Sequence, residues 1–453
     1  MRTDTIYALS SGGGRAGIAV IRVSGADAAD ALCRLAGIKA TPSPRLATRV
    51  RLADPETGEL LDDGLALWFP MPVSFTGEDV AELHAHGGHA VVAGILAALA
   101  KMPGLRMAEP GEFSRRAFEN GKFDLTAAEG LADLVEAETL AQRRQALRQL
   151  RGELGKIYES WRERLLAALA HREAAIDFSD DELPPGIDAA AREQVLEIKR
   201  EIANHLKDDR RGERLRDGLL IAIIGAPNAG KSTLLNKLAR RDAAIVSATA
   251  GTTRDVIEVH LDLGGYPVIV ADTAGLRDGR DEIEIEGIRR ARGKALDADL
   301  RLALFDGEAW PARDPHTAEL IDDATVVVIT KSDLKKPTPP LEVNGHRAIA
   351  ISAVTGAGLN VLLKEITGRA AALVGATASP ALTPALTRAR HREALEECLA
   401  ALRRFLAAEA AEATPELAAE DLRLAARALG RITGRVAVED VLDVIFRDFC
   451  IGK

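Results

Sequence analysis

The sequence predicts a multidomain α+β protein in which an N-terminal α+β module precedes an α-helical domain, itself interrupted by an inserted α/β domain. Three observations carry this. Residues 1–118 mix short alternating apolar segments with Gly-rich turns, whereas from about Leu125 the chain runs into long stretches of Ala, Leu, Glu and Arg that return near its end. Between these helical stretches, from about Leu219 to Val374, strand-like apolar runs alternate with helical segments, the pattern of a mostly parallel sheet with crossover helices. A length of 453 residues also suits about three domains. With 47% hydrophobic and 28% charged residues the chain can bury cores, and with only 4% aromatics those cores lean on Ala, Leu, Ile and Val.

In chain order, Ile18 to Val23 reads as a strand after the loop Ser10 to Gly17, and Gly64 to Phe69 as another before Pro70 and Pro72. Leu147, Leu150, Leu154, Ile157, Trp161 and Leu165 recur at spacings of three and four, one stripe along a helix. Leu395, Leu399, Leu402 and Leu406 form a second stripe, and Leu422, Ala425, Leu429 and Ile432 a third; all three read as helix-packing core. Strands are expected at Leu219 to Ile224, Val268 to Ala271, Leu300 to Phe305 and Ala324 to Ile329, with Gly375 to Pro384 as the return linker. The expected boundaries are 1–118 for the N-terminal module, 119–216 for the first helical part, 217–375 for the insert and 376–453 for the second helical part. Insertion is tolerated where a domain's termini lie close together.

A net charge of -9 argues against a cationic surface over the whole chain. Locally, Arg143, Arg144, Arg148 and Arg151 form a basic helix face, open to two readings, nucleic-acid phosphates or a solvated face with nearby Glu partners. Cys33, Cys398 and Cys450 are too few and scattered for a disulfide framework, which suits a reducing compartment. No apolar run reaches about 18 residues, so no membrane span is expected. Asp4 soon after Arg2 fits neither a signal nor a transit peptide, and a cytoplasmic location is expected. His84, His86 and His89 cluster, but no fourth ligand completes a metal site.

Gly225-Ala-Pro-Asn-Ala-Gly-Lys-Ser232 follows a strand and precedes the helix Thr233 to Leu238, the context that the phosphate-binding pattern G-x-x-x-x-G-K-[ST] requires. Backbone N–H groups around Asn228, Ala229 and Gly230 point into one concavity, Lys231 reaches the β- and γ-phosphates, and the Ser232 hydroxyl suits Mg²⁺ beside Thr233. Asp272-Thr273-Ala274-Gly275 closes a strand, its carboxylate suited to Mg²⁺ through water and its Gly275 N–H to the γ-phosphate. Thr253, at the end of Gly251-Thr252-Thr253, offers a second Mg²⁺ hydroxyl. Thr330-Lys331-Ser332-Asp333 follows another strand, and Asp333 can accept both N1–H and N2–H of guanine; Ser352-Ala353 can present an N–H to its O6. Together these select GTP over ATP.

The five elements resemble those of translation-factor-like GTPases, which implies a Ras-like α/β P-loop fold for the insert. Thr330 departs from the usual Asn, so a side-chain brace between base loop and P-loop is expected to be lost and base affinity to weaken. Leu276 stands where Ras-like enzymes carry a water-orienting glutamine, so hydrolysis needs another device. Asn228 and the stretch Ser247 to Thr253 offer oxygens for a monovalent cation, and Glu284, within Asp281 to Glu286, can align the water; the plainer reading of that acidic run is a solvated face.

Further motifs narrow the resemblance: Gly17 to Gly25 (GIAVIRVSG), Phe75 to Val80 (FTGEDV), His86-Gly-Gly88, Pro110 to Phe113 (PGEF), Arg116 to Phe118, Asn120 to Leu125 (NGKFDL) and the ending Phe449-Cys-Ile-Gly-Lys453. With the inserted GTPase they make the whole chain similar to the MnmE (TrmE) tRNA-modification family of TrmE-Era-EngA-type P-loop GTPases. A prenylation reading of the ending fails, because Cys450 is followed by Ile, Gly and Lys without a polybasic segment.

The resemblance implies an N-terminal module that binds 5-formyltetrahydrofolate through Arg22, Glu82, Lys122 and Lys453 and forms a homodimer. It implies K⁺ on Asn228, Ser247, the Thr249 carbonyl and Thr252, Mg²⁺ on Ser232 and Thr253, and Glu284 placing water, with Arg277 in the same switch. Cys450 is then either a reactive group or a packing residue. The implied reaction adds an aminomethyl or carboxymethylaminomethyl group to C5 of the wobble uridine, position 34, of certain tRNAs. It runs with the FAD-binding partner MnmG (GidA), in a heterotetramer or larger complex, with the folate as one-carbon source. The scarce aromatics leave much of the uridine handling to that flavoprotein, and the acidic balance makes tRNA binding local and weak without it. The alternative is a GTP-dependent assembly factor of the ribosome-associated type, which has no reason to carry the N-terminal motifs and the Cys450 ending.

Overall fold

The structure is a computed structural model and describes residues 4–177, 187–240, 244, 258–272, 293, 297–375, 384–410, 415–436, 442, 445–447, 449 and 452. The chain forms two compact units, one from Met1–Ala132, Gln149–Ala167 and Arg423–Lys453, the other from Asp133–Arg148 and Ala168–Leu422.

The first unit is built on six strands, β1 (Thr5–Leu9), β2 (Ala16–Ser24), β3 (Thr48–Ala53), β4 (Leu60–Phe69), β5 (Val80–Gly87) and β6 (Leu105–Met107), in the order β3-β4-β5-β2-β1-β6. All pairings are antiparallel except β1 with β6. Period-two alternation divides the side chains between the two faces. Tyr7, Ile21, Val23, Ala81 and Leu83 pack with helices Ala28–Ala36 and His89–Ala100 in the main core. Ile6 and Ala8 turn the other way, onto Phe113 and Phe75, and Arg22 lies opposite Glu82 in the β2·β5 register. A smaller core joins Leu125 and Ala128 to Leu442, Phe446 and Phe449, so the end of the chain packs back on the helix that follows the N-terminal module.

The second unit holds seven strands, β7 (Leu219–Gly225), β8 (Glu258–Leu263), β9 (Tyr266–Asp272), β10 (Leu300–Asp306), β11 (Thr325–Thr330), β12 (Glu342–Val343) and β13 (His346–Ala350). Their order is β12-β13-β11-β10-β7-β9-β8. The five central strands are parallel and only the edges β8 and β12 are antiparallel. Both faces are covered, as a parallel sheet requires. Ile221 and Ile223 join helices Lys231–Ala239 and Leu359–Leu373 on one face, and Ala222 and Ile224 join Phe305, Trp310 and Ile329 on the other. The four strands expected in the insert thus all form. Among the helices of this unit, Ile187–His205 packs along Ala389–Ala410, and Arg392 ties the latter to Asp208 and Glu213 at 2.7 and 3.1 Å.

The stripe expected on one helix from Leu147 to Leu165 is carried by two. One helix covers Leu140–Leu150 and the next Glu153–Asp177, with a turn at Arg151-Gly152 between them. In the first of them Leu147 and Leu150 are only half-buried, while Ala146 is buried and the neighbouring Gln142 and Gln145 donate side-chain hydrogen bonds to backbone carbonyls. Apolar periodicity missed this, because the packed face of that helix is largely polar. Among the described residues no helix is long and apolar enough to cross a membrane.

Candidate functional site

The P-loop leaves β7 at Gly225, whose φ of 156° and distance of 2.7 Å from a built Cβ to the Leu304 carbonyl exclude a side chain there. The loop turns through Asn228, a non-glycine residue in the left-handed region at φ 64°, and enters the helix Lys231–Ala239 at Gly230. Asn228, Ser232 and Thr233 stand exposed at the mouth, while Ala229 and Lys231 are buried. The Lys231 ammonium donates to the carbonyls of Gly225 and Ala226 at 2.7 and 2.9 Å, which holds it beneath the loop and against the helix N-terminus. A left-handed loop turn, a helix N-terminus and one ammonium are the parts of an anion cradle. In the register of β7 with β9, Asp272 falls beside Ile223, so the two strands end together.

On the other side of β7, β10 and β11 lead into the residues expected to recognise the base. Thr330 is buried, and its Oγ1 donates toward the Ala229 carbonyl at 2.8 Å and the Phe305 carbonyl at 3.2 Å. The brace expected to be lost with the usual Asn is therefore present, made by a hydroxyl to a P-loop carbonyl. Lys331, at φ 53°, places its ammonium 2.6 Å from Asp306 and 3.3 Å from Glu308. Burial pulls the Asp306 carboxyl upward, but the Lys331 hydrogen bond and the Glu308 N–H hold it below its ordinary value. Asp333 is exposed. Ser332 N–H donates to the Ile351 carbonyl at 3.0 Å, which locks the Thr330 to Asp333 loop to the Ser352-Ala353 loop. Ser352 is fully buried, and its Oγ and carbonyl accept from Thr355 and Gly356. Asp306 and Glu308 went unnoticed in the sequence because no motif contains them.

In the first unit Arg22 Nε donates to Glu82 Oε1 at 3.0 Å, and Nη2 contacts the same oxygen at 3.0 Å. The guanidinium sits 5.2 Å from the centre of the Phe75 ring and 5.6 Å from that of Phe113, a cation held between aromatic groups. Gly452 reaches the same place from the chain end, its carbonyl accepting from Ser10 Oγ at 2.8 Å and lying 3.4 Å from Arg22 Nη1. A Cβ on Gly452 would meet the Leu9 carbonyl at 2.3 Å, so only glycine fits this seat. Lys122 does not join the pair directly. It is exposed and donates to the Pro72 carbonyl at 2.8 Å, and the adjacent Phe123 meets Phe75 at 6.1 Å.

Behind this site, buried Arg116 bonds Glu112 at 3.0 Å, Asp4 at 3.1 Å and Glu78 at 3.2 Å, and Ser24 joins Thr76 to Glu78 at 2.8 Å each. This network fixes the loop that carries Phe75. Burial alone would raise the Glu112 carboxyl; hydrogen bonds from Arg106, the Glu109 N–H and Arg116 outweigh it and hold the group at about 2. His86 pairs with Asp62 at 2.8 Å and His84 lies 3.7 Å from Glu82, and the described residues hold no cluster of metal-ligating groups.

Ser247, Thr249, Gly251, Thr252, Thr253, Thr273, Ala274, Gly275, Arg277, Glu284, Cys450 and Lys453 lie outside the described residues, and only the backbone of Asp272 lies within them.

Two family models match the chain, that of the GTP-binding protein TrmE N-terminus over residues 5–122 and that of the MnmE helical domain over 125–450. The chain is 59% identical to the tRNA modification GTPase MnmE of Paramagnetospirillum magneticum and 57% identical to that of Rhodospirillum rubrum, in each case over 100% of both chains. It is 49% identical to the mitochondrial 5-taurinomethyluridine-[tRNA] synthase subunit GTPB3 of Danio rerio, over 99% of this chain and 93% of that one. The P-loop, the paired base loops and matches running the length of the chain converge on one assignment: the chain belongs to the MnmE (TrmE) family of tRNA-modification GTPases.

Proposed function

We propose that the chain couples potassium-stimulated GTP hydrolysis to modification of C5 of the wobble uridine of certain tRNAs, as a homodimer working with an FAD-binding partner of the MnmG type. The observation that carries this reading is the joint presence of a guanine-type nucleotide site and the Arg22–Glu82 pair seated between Phe75 and Phe113 at the chain end. An assembly factor has no use for the second. The Danio rerio relative is named as a synthase subunit, which supports work with a partner.

In the nucleotide site Lys231 would hold the β- and γ-phosphates, Asp333 the guanine N1–H and N2–H, and the Ala353 N–H its O6. Ser232 and Thr253 would hold Mg²⁺, with Asn228, Ser247, the Thr249 carbonyl and Thr252 around K⁺. The exposed Asn228 and Ser232, one on each side of buried Lys231, suit these cations, whose charge balances the negative charge that develops during phosphoryl transfer. Glu284 would align the water, beside Arg277. In the first unit Arg22 contacts Glu82 Oε1 while Oε2 lies 3.7 Å from His84 Nε2, and the Glu82 carboxylate would accept from the aminopyrimidinone edge of a folate such as 5-formyltetrahydrofolate. Such a folate supplies a one-carbon unit when bound. Arg22, Lys122 and Lys453 suit its anionic tail or formyl oxygen, and Cys450 lies two positions before Gly452.

Nucleoside analysis of tRNA from a deletion strain tests the reading. Loss of the C5 substituent at position 34 is expected, and unchanged wobble uridines would overturn it. The cation has its own check, since equal GTP hydrolysis in KCl and NaCl would remove K⁺ and favour an assembly factor.

A further inference from the structure

We propose that the helix Leu140–Leu150 is a contact surface for the RNA phosphate backbone, with Arg143 and Arg144 as its exposed cations. The inference deepens the tRNA reading above and rests on it. The segment Gln142 to Arg151 carries four arginines and no carboxylate in a chain of net charge -9. A solvated helix face normally offsets its cations with acidic residues three or four positions away. Here Arg144 and Arg148 stand one turn apart with no acid between them, a like-charge arrangement that disfavours the helix locally. Arg143 and Arg144 are exposed, and neither has an ion-pair partner among the described residues.

The opposite face of the helix is fixed to the frame of the nucleotide site. Gln142 Nε2 donates to the Arg216 carbonyl at 3.0 Å and Gln145 Nε2 to the Gly212 carbonyl at 2.9 Å, both on the short helix Arg211–Asp217 that leads into β7. Ala141 N–H donates to the Gly265 carbonyl at 3.2 Å, in the turn between β8 and β9. Glu138, just before the helix, lies 3.4 Å from His260 of β8. A rigidly mounted helix whose exposed Arg143 and Arg144 have no ion-pair partner among the described residues matches a polyanion, and among polyanions the substrate class of this family is tRNA. Arginine suits the task, because its planar fork pairs with phosphate oxygens.

Binding of an unmodified tRNA transcript by the full chain, titrated across KCl concentration, tests the surface. Arg143→Gln/Arg144→Gln is expected to weaken binding about tenfold at moderate salt and to flatten the log–log salt dependence by about 1.5, with GTP hydrolysis unchanged. Arg143→Lys/Arg144→Lys keeps the charge and is expected to keep most of the binding. A control with equal charge loss at exposed positions far along the chain, Lys336→Gln/Arg347→Gln, is expected to change little. Unchanged affinity and slope in the Gln variant would overturn the proposal, as would equal losses in the control or in the Lys variant. Loss of flavoprotein association with tRNA binding intact would also overturn it, and would make the face a protein contact. None of these failures touches the wobble-uridine reading, which nucleoside analysis tests separately.

Discussion

The phosphate cradle of the nucleotide site takes Gly225 to Ser232 from one uninterrupted stretch, whereas the Arg22–Glu82 site is assembled from β2, β5, the loop bearing Phe75, Phe113 and Gly452 of the chain end. In the first, function follows from local backbone geometry: a glycine at φ 156°, a left-handed Asn228 and a helix N-terminus fix the cradle within eight residues. In the second it follows from register. Arg22 and Glu82 are 60 positions apart and meet because β2 pairs with β5. A local cradle keeps its own backbone shape, while an assembled site depends on the loops and termini that complete it.

The largest effect is expected where one group serves the reacting phosphates. Lys231→Ala should lower single-turnover GTP hydrolysis by at least about 100-fold, and should leave the first unit's melting behaviour unchanged. Next comes base recognition. Asp333→Asn should weaken GTP binding by about 10- to 100-fold, since it removes a charged acceptor, and should improve binding of xanthosine triphosphate, whose ring offers an acceptor at C2. Fluorescent-nucleotide competition measures both halves of that exchange.

The assembled site should break through its support. Glu112→Gln is expected to cost about 3 kcal/mol of stability, because it leaves buried Arg116 and Arg106 short of a charged partner. The sign with pH follows from a folded carboxyl at about 2 against an ordinary value of 4.5. The contribution is complete above about pH 4.5 and drains as pH falls toward about 2. Thermal melts across that window should be steeper in pH for the parent than for Glu112→Gln. The smallest effect belongs to Thr330. Thr330→Val removes the hydroxyl that holds Ala229 and should weaken GTP binding about fivefold, a cost of about 1 kcal/mol. Thr330→Asn should bind GTP about as well as the parent.

What could be read from the sequence follows the same division. The strands of the insert, the P-loop and the base loops were legible because each is a short segment with its own punctuation. Glu82 and Arg22 were legible only through family motifs, and Phe113, Ser10 and Gly452 as their neighbours were not, since no spacing encodes which strands pair. Asp306 and Glu308 escaped for the same reason, as they reach Lys331 across the β10·β11 pairing. The loss of the brace expected at Thr330 failed on chemistry. A hydroxyl on a buried strand end reaches a P-loop carbonyl as well as an amide does, and identity at that position does not decide the brace. The helix break at Arg151-Gly152 was hidden because the leucine stripe runs on through it, while the packed face of the first helix uses Gln142 and Gln145.

The central claim is that both sites serve one reaction on tRNA. Wobble-uridine nucleosides measured in strains whose only copy carries either Lys231→Ala or Arg22→Ala test it most directly. The account predicts that each variant loses the C5 modification, and that the Arg22→Ala protein still hydrolyses GTP at close to the parental rate. Normal modification with Arg22→Ala would contradict it.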